Sequence, residues 1–400
     1  MQQERRVVVT GIGVIAGNGN NREEFYQNSV NGVTGIKECT IFDVSKIRTK
    51  YVGQISKELP VIQDTPTDRT RFQEIVRIAL NDMFEDSGIT KEDIKKYGRR
   101  ASLAIGVLSV TNDKINGFNK DMRLGKFEPG WLTRVPDFMP WVKKEAGVLG
   151  GAYTTAPACA SGTVAAGIGF DLIKQGKADI VIVGGAEQLT QVSCNGFHSL
   201  RSLSTSICKP FDQDRDGINL GEAGTFMLLE TEESALKNNR KIYGEILGYG
   251  TNNEAYHITS PDPEGNGACA TMKMAMKNTG VEPKDINLIN AHGTGTKLND
   301  AMETTAVNRF FKDCDGELNV STNKSMIGHC LGGAGAVELA ATLLCVSREQ
   351  YMPNINLDNP LELDEGKQFV MEAKKGNIKY ALSSSFAFAG NTASILVGKY

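Results

Sequence analysis

The sequence is poor in the features that mark several large protein classes. Its 400 residues carry a net charge of only −3, without the basic excess typical of nucleic-acid-binding proteins. No apolar run is expected to span a membrane, and the N-terminal residues lead into a strand pattern without the apolar segment of a signal peptide. The eight cysteines form no Cys-x-x-Cys pair, which favours free thiols in a reducing compartment. Composition therefore predicts a cytoplasmic protein, by default an enzyme, without a nucleic-acid partner.

Several common cofactor and catalytic motifs are also missing. The glycines of Gly11–Gly17 do not follow the Gly-x-Gly-x-x-Gly spacing of a dinucleotide site. Asn323–Ser325 lacks the preceding glycines of a phosphate-binding loop, and no Gly-x-Ser-x-Gly elbow of a serine hydrolase occurs. The spacings of cysteine and histidine match no common zinc pattern. We therefore expect no metal and no cofactor.

What is present predicts an α/β protein. Apolar residues recur at helical spacing over residues 68–88, and Gly88 suits the position just after that helix. A strand is predicted at Arg6–Gly11, ending in a glycine turn. Further strand-like runs alternate with helical patterns, which is typical of layered α/β folds; they lie at Ser102–Val107, Ile180–Val183, Phe226–Leu229, Leu288–Ala291 and Ser394–Val397.

Two internal echoes suggest a duplication. Ser87–Ile94 resembles Thr279–Ile286, and each segment stands between a helical pattern and a strand pattern. Cys159-x-x-Gly162 is echoed by Cys330-x-x-Gly333, and each opens a helix rich in small residues. Two echoes in the same order favour two copies of one α/β unit.

The duplication predicts both a domain division and a meeting point. The join is expected near residues 236–244, which divides the chain into halves at 1–240 and 241–400. If the two halves are related by a pseudo-twofold axis, the two matching helix starts face each other. Cys159 would then lie near His329 and Cys330.

Cys159 and two histidines are the strongest candidates for chemistry. Cys159 lies among small residues at the start of a predicted helix, where free N–H groups and the helix dipole should lower its pKa. His292 follows a strand and precedes glycines and hydroxyls, and His329 precedes a Gly/Ala-rich helix. The alternatives are a buried structural cysteine and hydrogen-bonded structural histidines; His198 and His257 are first interpreted in that structural sense.

Lys324 is a charged residue in a loop of small residues. If buried, it needs a partner, and Glu303 is the candidate, with Asp300 one turn before it. The alternative is that Lys324 and Glu303 are ordinary surface charges.

In chain order, these segments resemble the β-ketoacyl-acyl carrier protein synthases over nearly the full length, and within them the elongating type II enzymes. The resemblance implies a thiolase-like α/β fold, in which duplicated βαβαβαββ units form five α/β/α/β/α layers. The segments that carry it are Val7–Gly13, Ala158–Gly162, Val183–Glu187, Pro210–Gly217, Ala291–Thr296, Asn323–His329 and Ile355–Asp358.

The resemblance also implies roles for individual residues. Cys159 would accept an acyl chain as a thioester, and malonyl-carrier protein would then lose CO2 and attack that thioester. His292 and His329 would stabilise the enolate, while Lys324 paired with Glu303 would hold His329. Backbone N–H groups of Cys159 and of the gating residue Phe388 would form a second oxyanion hole. Supporting polar roles fall to Thr294, Thr296, Asp300 and Glu254.

The C-terminal loop departs from the family pattern Phe-Gly-Phe-Gly-Gly-Thr-Asn. Ala387 and Ala389 replace two glycines around Phe388, so a stiffer or differently moving gate is expected. Beside ordinary fatty-acid elongation, the departure leaves open a specialised ketosynthase of a polyene or polyketide-type lipid pathway, acting alone or with a partner subunit.

The implied partners are acyl- and malonyl-loaded carrier protein and a second copy of the chain in a homodimer. Because carrier proteins are acidic, a basic patch near the entrance is expected. Its candidates are Arg69, Arg71, Lys126, Arg201 and Lys209.

Two other classes remain as alternatives. A non-catalytic chain-length subunit would lack the nucleophile, whereas Cys159, His292 and His329 are all present. A thiol hydrolase would share the cysteine and one histidine, but gives no role to the second histidine or to Lys324.

Overall fold

The structure is a computed structural model of the chain. It describes residues 5–59, 70–110, 118–119, 121–126, 138–314 and 316–400. All statements about the fold and the site refer to these residues.

Helices and strands alternate along the chain, as the sequence predicts. The helices are α1 Arg22–Val30, α2 Arg71–Ser87, α3 Lys91–Lys96, α4 Phe138–Ala146, α5 Ser161–Lys174, α6 Gln191–Ser199, α7 Glu232–Lys237, α8 Asn266–Met276, α9 Lys297–Phe310, α10 Lys324–Ile327 and α11 Ala334–Arg348. The strands are β1 Val7–Ala16, β2 Ile36–Glu38, β3 Tyr51–Gly53, β4 Ala101–Gly106, β5 Ala152–Thr155, β6 Ile180–Glu187, β7 Ala223–Thr231, β8 Gly244–Asn253, β9 Leu288–Asn290, β10 Leu318–Ser321, β11 Gln350–Tyr351, β12 Lys367–Phe369, β13 Lys374–Lys375, β14 Tyr380–Phe386 and β15 Asn391–Gly398.

One mixed sheet of eleven strands runs through both halves of the chain. Its order is β12-β10-β9-β14-β15-β8-β1-β7-β6-β4-β5. Strands from the first half lie on one side and strands from the second half on the other. The two sides join where β1 pairs antiparallel with β8, from Val7 opposite Ile246 to Val9 opposite Gly244.

Helices pack on the sheet in layers. Helix α2 lies on the outer face of β1 and β7, and α8 lies on the outer face of β8 and β15. Between the two halves, α5 and α11 pack against each other and against strands of both sides. The result is the five-layer α/β/α/β/α arrangement that the resemblance to the synthases implies, with α5 and α11 as the central layer.

Both internal echoes correspond to repeated structure. Gly88 ends α2 and Gly280 follows α8, each with a left-handed φ, of 65° and 76°. The paired Cys-x-x-Gly segments each form a short 3-10 turn, Ala158–Ala160 and Leu331–Gly333, directly before α5 and α11. As expected for a pseudo-twofold arrangement, these two helix starts are in contact.

Strand β1 is longer than predicted. The sequence predicts a turn at Gly11, but the strand continues to Ala16 with a register shift between Val9 and Gly11. The glycines serve packing instead, because a Cβ at Gly13 would lie 2.0 Å from the carbonyl oxygen of Ala79 on α2. They let the helix backbone approach the strand closely.

The C-terminal central helix is long and apolar. Among the residues described, the segment Leu331–Arg348 alone is long and apolar enough to cross a membrane, with 18 residues and a hydropathy of 1.3. Its surroundings are protein, since 89% of the segment is buried inside the molecule. A core helix accounts for this composition.

Candidate active site

Cys159 lies in the 3-10 turn that leads into the central helix α5. Its side chain is 7% exposed and lines a cavity that opens to the surface. Burial raises the pKa of the Cys159 thiol to about 12, while the charge of Lys324 acts in the opposite direction. The lowering of the Cys159 pKa expected from the helix start is therefore wrong, because loss of solvent around the thiolate outweighs it. At neutral pH, Cys159 is a protonated thiol.

His292 and His329 stand beside this thiol. One ligating atom from each of the three side chains lies within 4.8 Å of the others. The two imidazole rings are 5.2 Å apart and nearly perpendicular. Desolvation lowers the pKa of both histidines well below 6.5, and the nearby Lys324 lowers both further. Both rings are neutral at physiological pH.

Hydrogen bonds define which nitrogen of each ring carries the proton. The backbone N–H of Leu331 donates to Nδ1 of His329 at 3.0 Å. The Lys324 ammonium lies 3.2 Å from Nδ1 of His292 and has only protons to offer. Since both Nδ1 atoms accept, each neutral ring carries its proton on Nε2. The site therefore presents two Nε2–H donors.

Lys324 is buried, but its partner differs from the predicted one. Its ammonium forms a salt bridge with Glu338 on α11 and also donates to the backbone oxygen of His292. Both charged side chains are 1% exposed. The predicted Lys324–Glu303 pair is not formed, because Glu303 is engaged by backbone N–H groups of the His292 loop. The prediction that Lys324 holds His329 also needs correction, because the lysine contacts Nδ1 and the backbone oxygen of His292 instead.

Glu303 and Asp300 shape the loop that carries His292. Glu303 accepts the backbone N–H of His292 at 2.6 Å and that of Gly293 at 2.8 Å. Burial raises the pKa of Glu303 to about 8, against the lowering effect of these donors. Asp300 accepts from the backbone of Thr294 at 3.0 Å and from Phe211 at 2.8 Å. Both carboxyl groups therefore fix the backbone of the His292 loop.

Thr294 and Thr296 lie further along the same loop. Their hydroxyl groups are hydrogen-bonded to each other at 2.9 Å, and both residues line the cavity. Their hydroxyl groups offer polar contacts to a molecule in the cavity.

The C-terminal loop closes another part of the cavity wall. Phe386, Ala387 and Phe388 line the same cavity as Cys159, and the Phe388 ring stacks on Phe197 with ring centroids 5.8 Å apart. Ala387 has ordinary extended backbone, whereas Ala389 has a left-handed conformation with φ 61° and ψ 21°. The two substituted alanines therefore have different consequences for the backbone.

Glu254 ties this loop to the segment after β8. Its backbone N–H donates to the carbonyl of Gly390 at 2.9 Å, and its Oε1 accepts from the N–H of Asp262 at 3.2 Å. Burial raises the pKa of its carboxyl group. Glu254 thus lies at the cavity wall, beside the Phe388 loop.

The cavity has a volume of about 480 Å³ and a partly basic mouth. Arg48, Arg201 and Lys297 line it together with His257, whose Nδ1 accepts from two backbone N–H groups. His257 is therefore a hydrogen-bonded structural histidine through its Nδ1 atom, and its side chain also lines the cavity. His198 lies outside the cavity lining and accepts the backbone N–H of Arg48 at 3.0 Å.

The predicted carrier-protein residues do not all belong to one surface. Arg201 is exposed at the cavity mouth. Arg71 is 4% exposed and pairs with the buried Glu222 at 2.5 Å, so its prediction as a surface contact is wrong. Lys126 is exposed but does not line the cavity. The Nζ atom of Lys209 lies 3.8 Å from Oδ2 of Asp358. Arg69 lies outside the described residues.

The Cys159, His292 and His329 group is the one cluster of possible metal ligands found among the described residues. Thiolate and imidazole are ligands that zinc accepts. Each Nδ1 already accepts from an N–H group, so ligation through Nε2 would require both rings to move their proton to Nδ1 and lose those contacts. The arrangement suits hydrogen-bond donation into the cavity better than metal ligation.

Comparison with known proteins shows the family of the chain. The model of the beta-ketoacyl synthase N-terminal domain matches residues 4–235, and that of the C-terminal domain matches residues 243–358. This chain belongs to the β-ketoacyl synthase family. It is 32% identical to 3-oxoacyl-[acyl-carrier-protein] synthase 2 of Staphylococcus aureus (strain COL), with 100% of both chains covered.

Solved structures of ketosynthases share the fold. One is a type II polyketide ketosynthase in complex with its acyl-carrier protein, with a TM-score of 0.90, 27% identity and 100% of both chains covered. Another is the ishigamide ketosynthase/chain length factor, with a TM-score of 0.90, 29% identity, and coverage of 99% of this chain and 100% of that one. The thiolase-like fold predicted from the sequence is confirmed.

Sequence reasoning missed Glu338 and Phe197. A signal for Glu338 was available, because it is an acidic residue in the middle of an otherwise apolar helix rich in small residues. Such a residue needs a buried partner. Phe197 had no comparable signal, since an aromatic residue on a helix usually indicates packing.

Proposed function

We propose that this synthase catalyses the decarboxylative condensation of an acyl thioester with malonyl-carrier protein in fatty-acid chain elongation. Cys159 carries the acyl chain, and the products are β-ketoacyl-carrier protein and CO2. The observation that carries the proposal is the meeting of one thiol with two neutral Nε2–H donors at the end of a cavity open to the surface.

In the first half-reaction, the sulfur of Cys159 attacks the acyl thioester of the carrier protein. The acyl–sulfur bond of the carrier breaks as the new thioester forms, and the proton of Cys159 leaves with the carrier thiol. Backbone N–H groups of Cys159 and Phe388 serve as donors to the thioester oxygen. The start of α5 and the Lys324 charge favour the sulfur as it becomes negative.

In the second half-reaction, malonyl-carrier protein enters the cavity and loses CO2. The resulting enolate oxygen accepts hydrogen bonds from the Nε2–H groups of His292 and His329. The enolate carbon attacks the Cys159 thioester, and one proton from solvent restores the thiol. Lys324 acts as a positioning residue, since its contact with Nδ1 keeps the His292 proton on Nε2. Removing one such donor typically lowers the rate by about 10²–10³.

A Cys159→Gln variant separates the two half-reactions. We expect no condensation from this variant, but continued release of CO2 from malonyl-carrier protein labelled in its free carboxyl group. Adding His292→Ala to Cys159→Gln should lower that release by about 10²–10³. Condensation by Cys159→Gln would refute the assignment of the nucleophile.

A second candidate is a specialised ketosynthase of a polyene or polyketide-type lipid pathway. Two observations favour it: solved structures with high similarity include the ishigamide ketosynthase/chain length factor, and alanines replace two loop glycines at positions 387 and 389. Assays with saturated and polyunsaturated acyl chains of equal length distinguish the candidates. Preference for saturated chains by the purified chain alone supports elongation, whereas preference for polyunsaturated chains, or a need for a second subunit, supports the specialised pathway.

The proposed partners are the acyl carrier protein and a second copy of this chain. Arg201 at the cavity mouth supports the first partner. For the second, β5 lies at the edge of the eleven-stranded sheet, and Tyr153 on it is exposed, as are Leu108 and Leu149. Light scattering of the purified chain tests the homodimer, and a monomeric mass would refute it.

We further propose a cytoplasmic location and the two-half division at 1–240 and 241–400. All eight cysteines are free in the structure, which suits a reducing compartment. The separate ranges of the two matching family models support the division.

A further inference from the structure

Glu187 is a buried carboxylate to which the proposed mechanism gives no role. It ends β6 in the first half of the chain and is fully buried. Burial raises the pKa of its carboxyl group to about 7. Burying such a group is costly unless hydrogen-bond donors surround it. The donors that Glu187 engages therefore indicate what the residue holds in place.

The carboxylate of Glu187 bridges two segments of the chain. Its Oε2 accepts the N–H of Leu108 at 3.0 Å and that of Gly332 at 3.2 Å. Its Oε1 accepts the N–H of Ser109 at 3.1 Å and also the hydroxyl group of Ser109. Leu108 and Ser109 follow β4 in the same half of the chain. Gly332 lies in the 3-10 turn Leu331–Gly333 of the other half.

The turn that Glu187 contacts also supplies the partner of His329. The N–H of Leu331 donates to Nδ1 of His329 at 3.0 Å, which leaves the ring proton on Nε2. The N–H groups of Leu331 and Gly332 belong to the two peptides on either side of Leu331. The φ and ψ angles of Leu331 therefore couple the contact with Glu187 to the contact with His329.

Leu331 has a strained backbone in this turn. Its φ of 45° lies in the left-handed region, which an L-residue disfavours. In the matching turn of the first half, Ala160 takes the place of Leu331 and has an ordinary φ of −83°. Surrounding contacts must maintain such a strained residue. The hydrogen bond from Gly332 to Glu187 is directly adjacent to it, and the Leu331 side chain is itself buried.

We propose that Glu187 is a positioning residue for His329. Its carboxylate holds the Gly332 peptide, keeps Leu331 in its left-handed conformation and so directs the Leu331 N–H to Nδ1 of His329. A residue of the first half thereby orients a catalytic residue of the second half. The inference rests on the proposed function, because it concerns the Nε2–H donor that stabilises the malonyl enolate.

The experiment measures CO2 release from malonyl-carrier protein in the Cys159→Gln background, in which condensation is absent. Glu187→Met retains the length of the side chain but accepts no N–H group. We expect it to lower CO2 release by about 10–10²-fold, the loss typical of a catalytic group displaced by about 1 Å. Ser109→Ala is the matched control, since it removes one donor from the same carboxylate and leaves the Gly332 contact in place. It should leave CO2 release unchanged.

Two further variants show whether the effect passes through His329. When Glu187→Met is added to His329→Ala, CO2 release should fall no further, because the group that Glu187 positions is already missing. When Glu187→Met is added to His292→Ala, the loss caused by Glu187→Met should remain, because His329 is still present.

Acylation of Cys159 separates positioning from a general effect on the fold. In enzymes that keep the cysteine, intact-protein mass spectrometry measures this step, which does not use His329 in the proposed mechanism. The charge of Glu187 also contributes to the raised pKa of Cys159, so its removal should not slow acylation. A merely structural role would lower acylation and CO2 release together.

A loss of CO2 release that disappears with His329→Ala, persists with His292→Ala and spares acylation supports the inference. No loss, a loss that persists with His329→Ala, or an equal loss in Ser109→Ala or in acylation overturns it. If Glu187→Met does not fold, Glu187→Gln replaces it under the same criteria; its amide oxygen still accepts the Gly332 N–H, so its loss should be smaller. Failure of the proposed function gives a different result, because Cys159→Gln with Glu187 intact would then release no CO2.

Discussion

The buried pair Lys324–Glu338 allows a quantitative test of the structure. Both side chains are 1% exposed, so neither charge can recover its hydration if the other is removed. Truncating one partner of a buried ion pair typically costs about 3–5 kcal/mol of folding free energy. We therefore expect Glu338→Gln and Lys324→Met each to lower the free energy of unfolding by about this amount. The double variant removes both charges and should lose less than the sum of the two single losses.

The difference from additivity is the coupling energy of the pair. For Lys324→Met with Glu338→Gln, we expect about 2–3 kcal/mol, the upper range for residues in direct contact. The matched cycle combines Lys324→Met with Glu303→Gln. Because Glu303 accepts backbone N–H groups and makes no salt bridge with Lys324, this coupling should stay below about 1 kcal/mol.

Urea denaturation followed by circular dichroism provides the measurement, provided that the slope of the transition is the same in all variants. Variants that unfold irreversibly would be compared by their unfolding rates in urea. A coupling with Glu303 equal to or larger than that with Glu338 would refute the pairing. It would also restore the partner that the sequence predicts.

Three further predictions concern the nucleophile, the entrance and the central helices. Burial raises the pKa of Cys159 to about 12, so its thiolate fraction should rise about tenfold per pH unit from pH 7 to pH 10. The rate of alkylation of Cys159 by iodoacetamide, measured by peptide-resolved mass spectrometry, should rise by the same factor. A plateau of this rate below pH 9 would show a lowered pKa instead. Arg201→Glu at the cavity mouth should weaken the salt-sensitive binding of carrier protein. The control Lys273→Glu, at an exposed position on α8, should leave that binding unchanged. Binding is titrated at 50 and 200 mM salt, and equal effects of the two variants would show that Arg201 is not part of the docking surface. Gly162→Ala should destabilise the protein by about 1–3 kcal/mol, because its Cβ would lie 2.4 Å from the backbone nitrogen of Ala336. Gly196→Ala, whose added Cβ meets nothing within 4 Å, should be neutral or slightly stabilising. Urea denaturation of both variants measures the difference, and an equal loss of stability in the two would contradict the close packing at Gly162.

Much of the fold could be predicted because its signals are local. The helix Arg71–Ser87 follows from apolar spacing and from Gly88 at its end. The duplication was visible because each half repeats the same short cap and turn sequences. Strand β1 was cut short in the prediction because Gly11 and Gly13 look like a turn, whereas they serve the close approach of α2. That approach depends on a helix distant in sequence.

The candidate site was predictable in its members and less so in its partnerships. Cys159, His292 and His329 lie in distinctive glycine-rich segments, and the fold brings them together. The partner of Lys324 could not be decided by proximity in sequence, because Glu303 and Glu338 both lie on helices near it. The protonation state of Cys159 also depends on burial, which a local motif does not show. Helix position alone predicts the opposite direction for its pKa.

The left-handed backbone of Ala389 was likewise beyond sequence reasoning. The substitution of a loop glycine by alanine predicts a stiffer loop. The structure shows that the hydrogen bonds to segment 253–258 impose the conformation on the alanine. The substituted alanine therefore has a backbone conformation that glycine adopts more readily.

The most direct test of the central claim follows the acyl group on Cys159 through one turnover. The purified chain is mixed with acyl-carrier protein, examined by intact-protein mass spectrometry, and then mixed with malonyl-carrier protein. We predict a single acyl adduct that maps to Cys159, followed by its loss in step with the appearance of β-ketoacyl-carrier protein and CO2. An adduct on another residue, or β-ketoacyl product formed by Cys159→Ala, would contradict the account.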